Sequence, residues 1–136
     1  MLTKKARNTR RAPRVLLDLL SLGVPLLQGM TGRYNLDEIE RNLQRRFPQL
    51  LDVYQEYLPR LHLEVIPVPR FKDIKALLNK MSAKDTSVLA SVKNSRADYL
   101  ITGDKKGFPS RVAAPIIVLA PDRFLNDVLP RIIDPR

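Results

Sequence analysis

Apolar residues recur every three or four positions in several stretches of the chain, with polar residues between them. This spacing is typical of helices that bury one face. It predicts helices over residues 14–22, 36–46, 49–60, 72–80 and 83–94. Gly23 follows the first stretch and is a stop signal for its helix. Phe47-Pro48 ends the second, because proline restricts the residue before it and cannot continue the hydrogen-bonding pattern.

Short runs of aliphatic and β-branched residues lie between the helical stretches. They predict strands over residues 24–30, 62–68, 98–102 and 115–120, and Pro67 indicates an edge or a strand end. A final helix follows Ala120, with Pro121 near its first position. Strands that alternate with helices predict an α/β layered fold with a mostly parallel sheet. Sheets of that kind carry functional groups just beyond the carboxyl ends of their strands.

Composition narrows the chemistry that the chain can perform. With 136 residues, of which 44% are hydrophobic, it is long and apolar enough for one domain with a real core. It has no cysteine, which excludes disulfides, thiolate zinc sites and a cysteine nucleophile. His62 is the only histidine, which argues against histidine metal sites and a Ser-His-Asp triad. No apolar run reaches the roughly 20 residues that span a membrane.

The positive charge is concentrated near the amino terminus. The formal net charge is +10, and the first 14 residues contribute six cations and no acid: Lys4, Lys5, Arg7, Arg10, Arg11 and Arg14. Such an excess favours a polyanionic partner, above all nucleic acid. A solvated, disordered tail is the structural alternative, and a mitochondrial targeting segment is disfavoured because no apolar face precedes Val15. We divide the chain into a basic segment, 1–13, and a domain, 14–136.

Three acids lie where predicted elements begin or end. Asp104 directly follows the predicted strand at 98–102, Asp85 opens one predicted helix and Glu38 opens another. Each has a purely structural interpretation. Asp104 lies in a turn beside glycine, Ser82 and Asp85 approximate a capping box, and Asn35 is the expected N-cap of the helix carrying Glu38.

Taken together, the three acids suggest a metal site. Helix starts and strand ends can converge at one edge of a parallel sheet, and crowded carboxylates repel one another unless a cation joins them. Mg²⁺ and Mn²⁺ take oxygen ligands and retain several waters, so a few carboxylates suffice. A cation held in this way can orient a water and neutralise a phosphate in the transition state.

Residues 85–125, which include the stretch "ADYLITGDKKGF", resemble the carboxyl-terminal half of a PIN domain. The stretch "LDEIERNLQRRFP" resembles an earlier helix of that family, and the resemblance extends over about 14–130. It implies a Rossmann-like α/β/α sandwich and an endoribonuclease that depends on Mg²⁺ or Mn²⁺, often the toxin of a bacterial toxin–antitoxin pair. By this resemblance Glu38, Asp85 and Asp104 are the metal-site acids, with Thr102 as a supporting group.

The resemblance also implies the partners. RNA is the expected substrate, an antitoxin protein and a second copy of the chain are candidate partners, and the cytoplasm is the expected location. Lys105 and Lys106, with the cations of the amino-terminal segment, would attract the RNA backbone. The alternative for these cations is simple solubility.

The sequence departs from the family at its start. Family members begin with a central strand that ends in an acid, typically Asp-x-Asn, and no such strand precedes the helix at 14–22. Asp18 does not replace that acid, and we place it on the solvent face of the helix. The first 14 residues then resemble the loop after that strand. Its loss leaves neighbouring strands with unpaired backbone groups and the site with one acid fewer, so we expect low or absent nuclease activity.

Two other functions remain open. The first is a non-catalytic PIN-like module that binds RNA or a protein, which the missing Asp-x-Asn strand favours. The second, a small nucleotide-binding α/β domain, is weaker because no glycine-rich phosphate loop occurs and the five glycines are scattered.

Overall fold

A computed structural model describes the backbone of residues 4–135 and the side chains of residues 11–135. The helices are α1 (Lys4–Ser21), α2 (Arg33–Arg46), α3 (Leu51–Tyr57), α4 (Phe71–Lys75), α5 (Ala83–Ser95), α6 (Ser110–Ala113), α7 (Pro121–Arg123) and α8 (Leu129–Ile133). The strands are β1 (Met30–Gly32), β2 (Glu64–Ile66), β3 (Tyr99–Ile101) and β4 (Ile117–Leu119). In the described part of the chain, no helix combines the length and the apolar character needed to cross a membrane.

The strands form two separate parallel pairs. β1 pairs with β2, placing Met30 opposite Glu64, and β3 pairs with β4, placing Tyr99 opposite Ile117. The chain is therefore a mixed α/β protein with parallel pairing, as the sequence predicts. Within residues 4–135, however, the pairs do not join into one sheet.

Helix α1 is longer than the sequence predicts. It begins at Lys4 instead of residue 14, so most of the basic segment is helical, and Pro13 lies inside it. Lysine, arginine and alanine are good helix formers, which accounts for the extension. The predicted end is confirmed: the helix stops at Ser21, and Gly23 adopts the left-handed conformation (φ +68°) that glycine tolerates. Asp18 is exposed, also as predicted.

Several predicted elements are shorter in the structure. The strand predicted over 24–30 is displaced: β1 spans Met30–Gly32 and shares only Met30 with the prediction. The helix predicted over 72–80 ends at Lys75. The stretch 49–60 is a short α-helix between two 3₁₀ turns rather than one continuous helix.

Helix α2 starts differently from the prediction. Gly32, not Asn35, is its N-cap residue, since the strand β1 runs directly into the helix. The first turn is held instead by Arg33, which donates from Nε to Asp37 Oδ1 (2.7 Å) and from Nη2 to Glu40 Oε2 (2.9 Å). Tyr54 donates its hydroxyl to Glu40, joining α3 to α2 (3.2 Å). Burial, followed by the charge of Glu40, raises the pKa of Tyr54.

The main core cluster surrounds helix α5. Its members come from five segments of the chain and are all buried: Leu77, Leu89, Ala90, Phe108, Ala113 and Val118. Helix α5 also contacts β1 and β2. Because Val118 belongs to β4, this one helix packs against both strand pairs.

We expect Leu89→Ala to destabilise the fold by about 2–5 kcal/mol, because Leu89 is fully buried and the change leaves a cavity. Urea unfolding followed by circular dichroism measures the loss. Leu22→Ala is the matched control, since Leu22 is 77% exposed and should change stability by about 0.5 kcal/mol or less. Equal effects of the two substitutions would contradict the assignment of this core.

Candidate functional site

Asp104 is fixed by contacts on both sides of the turn that follows β3. Its backbone N–H donates to Thr102 Oγ1 (3.1 Å), and its Oδ1 accepts a hydrogen bond from the N–H of Gly107 (3.3 Å). The carboxylate therefore caps the 3₁₀ turn Lys105–Gly107. Thr102 therefore contacts Asp104 through the main chain, and its role as a supporting group of a metal site stays a prediction.

Asp85 lies in the first turn of α5 and is partly buried. Its Oδ2 accepts a hydrogen bond from Ser82 Oγ (2.9 Å). Ser82 is the N-cap residue, as predicted, but its side chain makes no hydrogen bond to the helix backbone. The expected capping box is therefore replaced by a contact between the two side chains, and the serine hydroxyl orients the carboxylate.

The two aspartates meet at Gly107. A β-carbon placed on this glycine would lie 2.7 Å from Asp85 Oδ2 and 2.8 Å from Asp104 Oδ2. Both oxygens therefore border the small space that the missing side chain leaves. The sequence suggests that Glu38, Asp85 and Asp104 converge, and the structure brings the two aspartates together.

Glu38, the third predicted acid, does not join them. It lies in the second turn of α2 rather than at the helix start, because the helix begins at Arg33. In the described part of the chain, no three carboxylate, histidine or cysteine side chains form a group able to hold a metal ion. The arrangement is thus a carboxylate pair, and a ligand role for Glu38 stays a prediction.

The donor set of this pair suits a hard divalent cation. Two aspartate oxygens face a common space, and Asp104 is exposed, which leaves room for the waters that Mg²⁺ and Mn²⁺ retain. A site with two protein carboxylates relies on those waters, and on substrate oxygens, for its remaining ligands.

Positive charge lies next to the pair. Lys105 and Lys106 directly follow Asp104, are exposed, and form no ion pair within the described residues. On α1, Arg11 and Arg14 are also exposed. The side chains of Lys4, Lys5, Arg7 and Arg10, which the sequence also predicts to bind nucleic acid, lie outside the described residues.

The structure also contains a second basic surface, which the sequence does not predict. Lys80, Lys93 and Arg111 line an open cavity of about 580 Å³. These cations come from three separate segments, so no spacing in the sequence indicates that they meet. Lys93 lies about 12 Å along α5 from Asp85, which puts this cavity toward the other end of the same helix.

Comparisons with protein-family models, curated proteins and solved structures found no match to this chain.

We expect Gly107→Ala to weaken Mn²⁺ binding about tenfold or more, because the added methyl group would displace both carboxylate oxygens. The displaced atoms are side-chain ends, so the thermal unfolding midpoint should change little. Isothermal titration with Mn²⁺ and thermal unfolding measure the two effects. Gly103→Ala is the matched control, since a β-carbon there meets no atom within 4 Å. Unchanged Mn²⁺ affinity in Gly107→Ala would contradict a cation site at the pair.

Proposed function

We propose that the chain is a PIN-type, metal-dependent endoribonuclease of the toxin class, with activity weakened by a site that has two converging carboxylates. The observation that carries this proposal is the meeting of Asp85 and Asp104 at Gly107. Asp104 follows the parallel strand β3 and Asp85 lies in the first turn of α5, the placement that the sequence resemblance predicts for metal-site acids. The proposal includes Mg²⁺ or Mn²⁺ as the cofactor and the Rossmann-like arrangement of that family.

Each residue of the proposed site would have a separate role. Asp85 and Asp104 would hold the cation. Ser82 keeps the Asp85 carboxylate in place, and Thr102 accepts a hydrogen bond from the backbone N–H of Asp104. When bound, a divalent cation supplies Lewis acidity at a phosphate and makes a nearby water a better nucleophile. Lys105 and Lys106 would neutralise phosphates of the RNA backbone beside the pair.

The low activity follows from the ligand count. Two carboxylates neutralise a divalent cation but leave most of its coordination to water, so affinity is modest. Glu38 would contribute only if α2 brought it closer than the structure does. An antitoxin protein and a second copy of the chain are the partners that this proposal implies, and the cytoplasm is the location.

The alternative is a PIN-like module that binds RNA without cutting it. The basic cavity formed by Lys80, Lys93 and Arg111 favours this function, because it supplies phosphate-binding charge away from the carboxylates. The two proposals share an RNA partner and differ in metal-dependent cleavage.

We expect weak cleavage of single-stranded RNA in Mn²⁺, and its loss in Asp104→Asn, because a neutral amide cannot hold the cation as a carboxylate does. Gel analysis of an end-labelled RNA measures the rate. Asp52→Asn is the matched control, since Asp52 is exposed on α3 and remote in sequence from the pair.

Equal cleavage rates in wild type and Asp104→Asn would contradict the role assigned to the aspartate. If neither protein cleaves but both bind RNA, with an affinity that falls steeply as salt rises, the non-catalytic module is the better account.

A further inference from the structure

A largely apolar groove of about 510 Å³ separates the two strand pairs. β1 borders it on one side and the end of β3 on the other, while α1 and α5 also line it. The aliphatic side chains that face the groove include Leu16, Leu17, Leu20, Val88, Val92 and Leu100. None of the acids of the carboxylate pair lines this groove.

The strand β1 presents a free backbone edge. The carbonyl oxygen of Gly29 accepts a hydrogen bond from the N–H of Glu64 (3.0 Å). The backbone groups of Gly29 and Thr31 therefore face β2. Backbone groups alternate direction along a strand, so those of Met30 and the N–H of Gly32 face away from β2, while the Gly32 carbonyl begins helix α2 as its N-cap. Both residues also line the groove.

The strand β3 has the same property. The carbonyl of Asp98 accepts from Ile117 N–H (3.1 Å), and Thr102 N–H donates to the carbonyl of Leu119 (2.9 Å). The backbone groups of residues 98, 100 and 102 therefore face β4, and those of Tyr99 and Ile101 face away from it. Within residues 4–135 no third strand pairs with either sheet.

Two free edges restrict what can fill the groove. Unpaired N–H and C=O groups beside an apolar surface are costly, and they are satisfied by a strand added to the edge. A small apolar ligand would cover the leucines but would not supply donors and acceptors to both walls. An extended polypeptide supplies both, because its own backbone groups alternate between its two sides.

The charge next to the groove adds a second requirement. Pro13 of α1 lines the groove, and its neighbours Arg11 and Arg14 are exposed. The whole chain carries a formal charge of +10. Acidic residues flanking an apolar strand would therefore be attracted to this end of the groove.

We propose that the groove between β1 and β3 accepts an extended apolar strand with acidic flanks from a second polypeptide, which joins the two strand pairs into one sheet. The bound strand would pair with the free backbone groups of Met30 and the N–H of Gly32 on one side, and with the backbone groups of Tyr99 and Ile101 on the other. Its aliphatic side chains would cover the leucines of α1 and the valines of α5.

The probe is a synthetic peptide, acetyl-Asp-Asp-Val-Ile-Val-Leu-Val-Asp-Asp-amide, titrated into the full chain by fluorescence anisotropy of an attached dye. We expect saturable binding, and an affinity lowered about tenfold or more when alternate backbone nitrogens of the peptide are methylated, since methylation removes several hydrogen bonds. Hydrogen exchange should show slower exchange at the amides of Met30 and Ile101 in the complex.

Two protein variants test whether the peptide binds in the groove. Leu17→Lys places a charge in the groove and should weaken binding about tenfold, whereas Leu26→Lys alters an exposed leucine outside it and should have no effect. Circular dichroism checks that both variants fold.

Equal affinity for the plain and methylated peptides would overturn strand pairing in favour of simple apolar adsorption. If the wild type is a dimer that does not bind the peptide, and Leu17→Lys is a monomer, then a second copy of this chain, not another polypeptide, occupies the groove. Absence of any binding would also overturn the proposal.

Discussion

Packing of Leu89 into the core determines where helix α5 lies, and most of the molecule is arranged around that helix. Leu89 is fully buried among residues from β4, the turn after β3 and α6. The buried hydroxyls of Thr86 and Ser91 donate to backbone carbonyls of the same helix, so its tight packing leaves no buried side-chain polar atom unsatisfied within the described residues. Since Asp85 is in the first turn of this helix, the packing also places one of the two carboxylates.

The split sheet is the second consequence of this arrangement. Each strand has only three residues. Helix α5 contacts β1 and β2 and shares the core cluster with Val118 of β4, but it does not close the space between the two pairs. Two-stranded sheets gain stability from packing against a helix more than from their own hydrogen bonds. The free edges of β1 and β3 therefore depend on α5 for support. The carboxylate pair and the groove both lie along that helix but use different residues.

The sequence predicts the elements around the site better than those near the start of the chain. Helix α5 and strands β3 and β4 lie where periodicity places them, because strong apolar runs and a serine N-cap mark them. Helix α1 extends back to Lys4 because helix propensity outweighs the interruption at Pro13. The meeting at Gly107 depends on a turn geometry that no local pattern encodes, and the basic cavity joins segments far apart in sequence. Glu38 lies in a helix, as predicted, but it does not join the two aspartates in a group of three ligands within the described residues.

The proposed function requires that Asp85 and Asp104 together hold one cation. The most direct test is a double-mutant cycle in Mn²⁺ affinity, measured by isothermal titration on wild type, Asp85→Asn, Asp104→Asn and the double variant. If both oxygens hold the same ion, each single change removes most of the affinity and the second adds little, giving a coupling energy of about 0.5–3 kcal/mol. Single variants that bind Mn²⁺ as tightly as wild type would contradict the account.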